Sequence, residues 1–299
     1  MTERPQDLGA RMGAAQTGAA GAGTGTGTGT GRITGSRSGN LGEVATERRA
    51  FRPLYVVRRN FLVWRKLMFS SLVGNLVDPL IFLVGLGYGL GQFLPQIQGI
   101  PYLNFLAGGM LCYSTMNSAS FEALWSAYSR LAVQRTWEGI LQAPMTVRDV
   151  VLGEWLWAGC KSLLSGSAIL LVMYALGVVH GFAPLAVLPV VLLIGVCFAG
   201  IALVVTTLAR SYDTFTYYFT LVITPMMFLS GVFFPRDSLP PAVQFVGGLL
   251  PLSHGIDLVR GITLGRPLEQ PLLHAAVLLA WGLGGAWLAT RIATRRLAK

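Results

Sequence analysis

Ser165, Ser167, His254 and Asp257 are the residue types of a nucleophile, a base and an orienting acid, and His254 and Asp257, three positions apart, would share one face of a helix. Neither a nucleophile elbow nor an HExxH metal signature accompanies them, so hydrolysis has only these scattered residues to stand on, and His254 reads first as a polar anchor. His180 and His274 fall at the edges of apolar runs, where interfacial packing is expected. Cys112, Cys160 and Cys197 lie inside such runs with no CxxC spacing, which indicates packing residues and neither a disulfide framework nor a zinc site. No GxxxxGK[ST] phosphate loop occurs, and the dipeptide Gly-Lys is absent, so the chain cannot hold ATP by that device. Gly85, Gly87, Gly89 and Gly91 form GLGYGLG, which is not a dinucleotide fingerprint and reads as a close-packing helix face.

The remaining chemistry is ionic. Asp78, Glu122, Glu154 and Lys161 sit within apolar runs, where ionisable groups are costly and are functional candidates by default. Glu154 and Lys161, seven apart, lie two turns apart on one face and are expected to compensate each other partly, while Glu122 and Glu154 are placed to reach cytoplasmic water. A proton-coupled secondary carrier would need a deeper set of acids than this, which weakens that alternative.

The elements that carry these groups follow from composition. Of 299 residues, 53% are hydrophobic and 12% charged, against an average of about 25% charged in soluble domains. The chain therefore reads as an all-α integral membrane protein. Residues 1–46 are rich in Gly, Thr, Ala and Ser, cannot offset chain entropy by burial, and are expected to be disordered; they also lack the apolar core of a cleavable signal peptide. Six runs are each long enough to cross as helices within a 70–299 domain: about 70–94, 101–126, 150–179, 184–208, 213–234 and 271–290.

The net charge of +10 is read by position, which points to lipid and topology and not to nucleic acid. Eleven Lys or Arg precede the first run; Arg130, Arg135 and Arg148 follow the second; Arg210 follows the fourth; Arg291, Arg295, Arg296 and Lys299 follow the sixth. The opposite side has only Arg236, Arg260 and Arg266. The positive-inside bias puts both termini in the cytoplasm.

Ahead of the first run, within 47–69, Leu54, Val57, Phe61, Trp64 and Met68 recur at helical spacing, with Arg52, Arg58, Arg59, Arg65 and Lys66 opposite. This predicts an amphipathic helix lying along an anionic membrane surface. Between the fifth and sixth runs, LSGVFFPRDSLPPAVQFVGGLLPLSHGIDLVRG breaks into apolar pieces too short to cross, which predicts re-entrant helices on the outer side.

Three of these features resemble type-2 ABC-transporter permeases. RLAVQRTWEGILQAPMTVRDVVLGE is similar to that family's cytoplasmic coupling motif, an acidic-Gly pair before a short helix and a Pro-containing turn, here Glu138, Gly139 and Pro144 flanked by Arg135 and Arg148. LSGVFFPRDSLP with PLSHGIDLVRG resembles the signature before the last span, and NLVDPLIFLVGLGYGLG with the basic helix ahead of it completes the set. The first span and RTWEGIL look closest to the nodulation-factor (lipo-oligosaccharide) export permeases, a subgroup that also resembles daunorubicin-type drug exporters. The resemblance spans residues 50–299.

It implies an inner-membrane export subunit, not itself an enzyme, working as a dimer on two copies of a separate nucleotide-binding ATPase that holds ATP and magnesium. It implies a coupling loop of Arg135, Trp137, Glu138, Gly139, Leu141, Pro144 and Arg148, with Trp137, Ile140, Leu141 and Met145 offering an apolar docking face. It also implies an outer gate built from Phe233, Phe234, Pro235, Pro251, His254, Asp257 and Arg260, with Phe245 buried over the dimer pathway. The substrate is an amphiphile by the same resemblance: a lipo-oligosaccharide, a polysaccharide or a hydrophobic drug.

Overall fold

The computed structural model describes residues 51–94 and 96–298; the tail expected to be disordered, 1–46, lies outside them. Among the described residues, Val147–Ala175, Ala183–Leu208 and Pro271–Leu297 are long and apolar enough to cross a membrane. Helical stretches also occupy the three other expected positions. One is Met68–Gly89. A second is Tyr102–Phe121, carried on by π-helical turns at Glu122–Ser126 and Ser129–Val133. The third is Asp213–Tyr218, π-helical Phe219–Ile223 and Thr224–Leu229 in succession.

The first two stretches are joined by a small hairpin in which Gln96–Ile97 pairs antiparallel with Ile100–Pro101. Gln98 (φ 52°) and Gly99 (φ 74°) are both left-handed, as a two-residue turn of matching twist requires.

Within GLGYGLG the close packing falls on Gly87. A Cβ added at Gly85 or Gly89 would meet nothing within 4 Å, and one at Gly87 would meet the Leu103 side chain. A backbone-on-backbone contact runs between Val187–Leu208 and Pro271–Leu297. There, a Cβ at Gly285 would sit 2.5 Å from the carbonyl carbon of Gly200, and one at Gly282 would sit 3.0 Å from the Val196 oxygen. Cys112 and Cys197 are buried packing residues, whereas Cys160 is exposed.

The predicted amphipathic helix is present as Arg52–Trp64, but it is rotated from the expected stripe. Its buried positions are Pro53, Val56, Asn60 and Trp64. Leu54 and Phe61 are exposed, as is Met68 just beyond, and so are Arg58 and Arg65; Val57 and Arg59 are half-buried. Gly153 admits the buried face, since a Cβ there would lie 2.5 Å from Val56 Cβ and 2.8 Å from the Pro53 oxygen. The helix thus has two apolar sides, one packed on the Val147–Ala175 helix and one facing outward, and Trp64 alone of the expected set points inward.

After Leu229 the chain turns at Gly231 (φ 85°) and forms two short helices, Pro241–Leu249 and Pro251–Thr263, bent 84° from each other. Leu250 is extended between them (φ −74°, ψ 134°), the conformation a following proline enforces.

Candidate functional site

Helix-borne charges meet in a buried cluster where the Arg52–Trp64 helix, the π-wound end of the second stretch and the Val147–Ala175 helix converge. Arg130 donates from Nε to Glu154 Oε1 (2.9 Å) and from Nη2 to Glu154 Oε2 (2.6 Å) and Glu122 Oε1 (2.9 Å). Lys161 Nζ donates to Glu122 Oε2 (2.7 Å), Trp157 Nε1 to Glu122 Oε1 (2.8 Å), and Asn60 Nδ2 to Glu154 Oε2 (3.1 Å). Two cations and two carboxylates make a neutral set, and both acids are almost fully buried, at 3% for Glu122 and 1% for Glu154. In a low-dielectric setting only such complete pairing makes buried charge tolerable.

Three expectations are corrected here. Glu154 does not pair with Lys161: each finds its partner on another chain segment, because interhelical approach, not spacing along one helix, brings the charges together. Neither Glu122 nor Glu154 reaches water. Arg130 is not a loop residue, since π-helical winding carries the helix through it. Such single-turn π insertions concentrate at functional sites. A third one, Phe219–Ile223, faces the first across Trp125, whose ring lies 5.2 Å from Phe219 and from Phe215. The side chain of Asp78 is outside the described positions.

The segment from Arg135 to Arg148 hangs next to this cluster. Arg135 takes a left-handed backbone (φ 49°) that ends the π-wound helix and starts Thr136–Leu141. Thr146 and Asp149 then cap the next helix reciprocally: Asp149 N donates to Thr146 Oγ1 (3.2 Å), and Thr146 N donates to Asp149 Oδ2 (2.9 Å). The apolar side of the segment turns inward. Trp137 is fully buried, and Ile140, Leu141 and Met145 are half-buried. What faces outward is polar or small: Arg135, Glu138, Gly139, Pro144 and Arg148.

At the bent helix pair, Arg236 Nη2 holds both Asp257 oxygens (2.8 and 2.6 Å). Arg260 lies 3.6 Å over the Phe105 ring and donates to the oxygens of Phe105 (3.1 Å), Gly231 (2.8 Å) and Val232 (3.2 Å), tying the turn after Leu229 to the second stretch. Pro235 and Pro251 frame this turn and the bend. Phe233 packs against Phe82 and Phe228, Phe234 is half-buried, and Phe245 stands 71% exposed in the single chain. No triad forms: His254 Nδ1 faces His274 Nδ1 at 2.7 Å, Asp257 is taken by Arg236, and Ser165 bonds Ser114 (3.1 Å). Sequence reasoning missed Asn60, Trp157 and Arg236 as partners. Arg236 was the most accessible of them, since an Arg close to a proline-broken turn with an Asp 21 residues on is a candidate pair.

The Arg52–Trp64 helix is thus tied to the bundle through the ion cluster, the capped Arg135–Arg148 segment follows beside it, and a bent helix pair precedes the last helix. The chain is 46% identical to "Nodulation protein J" of Rhizobium meliloti (strain 1021) over 242 residues, covering 81% of this chain and 92% of that protein. It is 46% identical over 244 residues to "Nodulation protein J" of Rhizobium leguminosarum bv. viciae, covering 82% and 94%. More distantly, it is 24% identical over 198 residues to "Inner membrane transport permease YadH" of Escherichia coli (strain K12), covering 66% and 76%. Residues 54–264, from the interfacial helix to the end of the bent pair, match the ABC-2 type transporter family, and the chain belongs to that family as a multi-pass permease subunit of an ABC transporter.

Proposed function

We propose that this permease is the membrane conduit of an ATP-driven exporter that moves an amphiphile out of the cytoplasm. The observation that carries this is the Arg135–Arg148 segment, fastened inward by buried Trp137 and presenting Glu138, Gly139 and Pro144 outward. A segment transmits a push only if it is firmly seated, and the Thr136–Leu141 helix of this one packs on the π-helical turn that carries Arg130 and on the helix that carries Glu154. ATP and its magnesium ion belong to a separate nucleotide-binding subunit, since this chain has no phosphate loop.

In this reading the chain makes six crossings in the cytoplasmic (inner) membrane with both termini inside, and the bent pair enters from the outer side as a gate. Two copies assemble so that Phe245, exposed in one chain, is covered across the dimer. The resemblance of the first span and RTWEGIL to nodulation-factor export permeases favours a lipo-oligosaccharide as cargo, with a hydrophobic drug or a polysaccharide as the competitors. The test is to co-purify the permease with its ATPase, reconstitute both in vesicles, and scan ATP hydrolysis against these amphiphiles. Stimulation by one class, abolished with the permease omitted, is the expected result. Uptake or efflux that persists without the ATPase and collapses with the proton gradient would sink the reading.

A further inference from the structure

Between the Arg52–Trp64 helix and the π-wound end of the second stretch lies a cavity of about 470 Å³ that no part of the coupling or gating reading uses. Its volume is in the range of small-ligand pockets. Arg59 and Arg130 both line it, together with Ser126 and Ser129, and none of its lining residues is a carboxylate. Glu122 and Glu154 stand behind Arg130, where they engage its Nε and Nη2. Its Nη1 makes no hydrogen bond among the described residues. Arg59 donates one hydrogen bond, from Nη1 to Asn60 Oδ1 (3.1 Å), and forms no ion pair among them. Two guanidinium edges and two hydroxyls therefore converge with no acid between them. This donor set fits a phosphate: planar N–H forks for its oxygens and hydroxyls for the remainder.

The rim decides what carries that phosphate. Val63 and Leu67 line the same cavity and are 55% and 65% exposed, so its rim offers apolar surface that acyl chains can cover. Val63 sits on the Arg52–Trp64 helix and Leu67 on the 3-10 turn Arg65–Leu67 that continues it, and a basic, apolar-sided helix of this kind belongs at the level where lipid headgroups meet acyl chains. We infer that this cavity is a specific site for the phosphate headgroup of an anionic phospholipid, with the acyl chains running out over Val63 and Leu67. Such a lipid would bridge the interfacial helix to the charge cluster through Arg59 and Arg130. The inference goes beyond the export reading and depends on neither the ATPase nor the cargo.

The test uses the purified full chain in detergent and short-chain phosphatidylglycerol as probe, with phosphatidylcholine and inorganic phosphate as the other arms. Phosphatidylglycerol is expected to bind at least about tenfold more tightly than phosphatidylcholine, and inorganic phosphate at the same concentration to displace neither. Arg59→Gln, which removes none of the four paired charges of the buried cluster, is expected to weaken phosphatidylglycerol binding about tenfold, the value of one charge-assisted hydrogen bond. Ser129→Asp is expected to do the same by placing an acid in the cavity; its carboxylate keeps the acceptor that Gln134 Nε2 now finds on Ser129 Oγ at 3.2 Å. Equal binding of both lipids, unchanged binding in both variants, or displacement by inorganic phosphate each overturns the assignment.

Discussion

Arg130 grips Glu154 along one full edge of its guanidinium, Nε on Oε1 at 2.9 Å and Nη2 on Oε2 at 2.6 Å, while Asn60 of the interfacial helix reaches the same carboxylate at 3.1 Å. One buried acid thus joins three elements. A tilt of the Arg52–Trp64 helix against the bundle would strain the Asn60–Glu154 hydrogen bond.

Removing that acid leaves Arg130 with only Glu122 to compensate it. Glu154→Gln is expected to destabilise the permease by about 3–5 kcal/mol, the cost of stranding one member of a buried pair. Arg130→Gln alone should cost a similar amount, and the two together should cost less than their sum, since the double variant strands neither partner of their pair. Thermal unfolding of the three variants in detergent checks this; strict additivity would show that the cluster is not a coupled unit.

The seat of the interfacial helix is tested at Gly153. A Cβ there would lie 2.5 Å from Val56 Cβ, so Gly153→Val must push the Arg52–Trp64 helix off the bundle. Overpacking of this kind costs about 1–3 kcal/mol. The expected readouts are a lowered unfolding temperature and faster cleavage by protease near residue 52, with Gly85→Val as a control, because a Cβ at Gly85 meets nothing within 4 Å. Equal behaviour of the two variants would mean that the helix is not held through Gly153.

Much of this arrangement was legible as residue types and breaks. Pro240, Pro241 and Pro251 announce the bent pair, and the basic helix announces itself by periodicity. Its rotation did not, because lipid and protein interior are both apolar, and periodicity cannot tell Leu54, which faces outward, from Val56, which faces Gly153. Glu122, Glu154 and Lys161 were visible as candidates, yet the spacing of Glu154 and Lys161 suggested the wrong partner. The true pairing depends on π-helical winding around Arg130, and no propensity in RLAVQ signals it. The inward turn of Trp137 was hidden for the same reason as the rotation of the interfacial helix.

On the proposed function, Gly139→Arg separates folding from coupling. Gly139 is exposed, and a Cβ there meets nothing within 4 Å, so the variant should fold and express like the parent. A bulky cation next to Glu138 should block the ATPase from seating. Substrate-stimulated ATP hydrolysis in reconstituted vesicles is expected to fall at least about tenfold, an interface loss of roughly 1.4 kcal/mol or more. Normal stimulation with normal expression would remove this segment from the coupling path.

The outer pair Arg236–Asp257 is the reciprocal case, with side chains about one-third exposed on both partners. Partly solvated pairs contribute little to stability, so Asp257→Ala should unfold near the parent temperature. What it loosens is the part of the turn around Arg236, which loses both of its carboxylate contacts across 21 residues of chain while Arg260 still holds Gly231 and Val232. If this turn gates exit, Asp257→Ala and Arg236→Ala should change export to a similar extent, and the charge-swapped pair Arg236→Asp with Asp257→Arg should restore part of it. Co-purification of the ATPase should be unaffected in all three, since the gate and the coupling segment occupy opposite ends of the spans in this reading. Loss of the ATPase from Asp257→Ala would place the bent pair on the coupling side and reverse the topology proposed here.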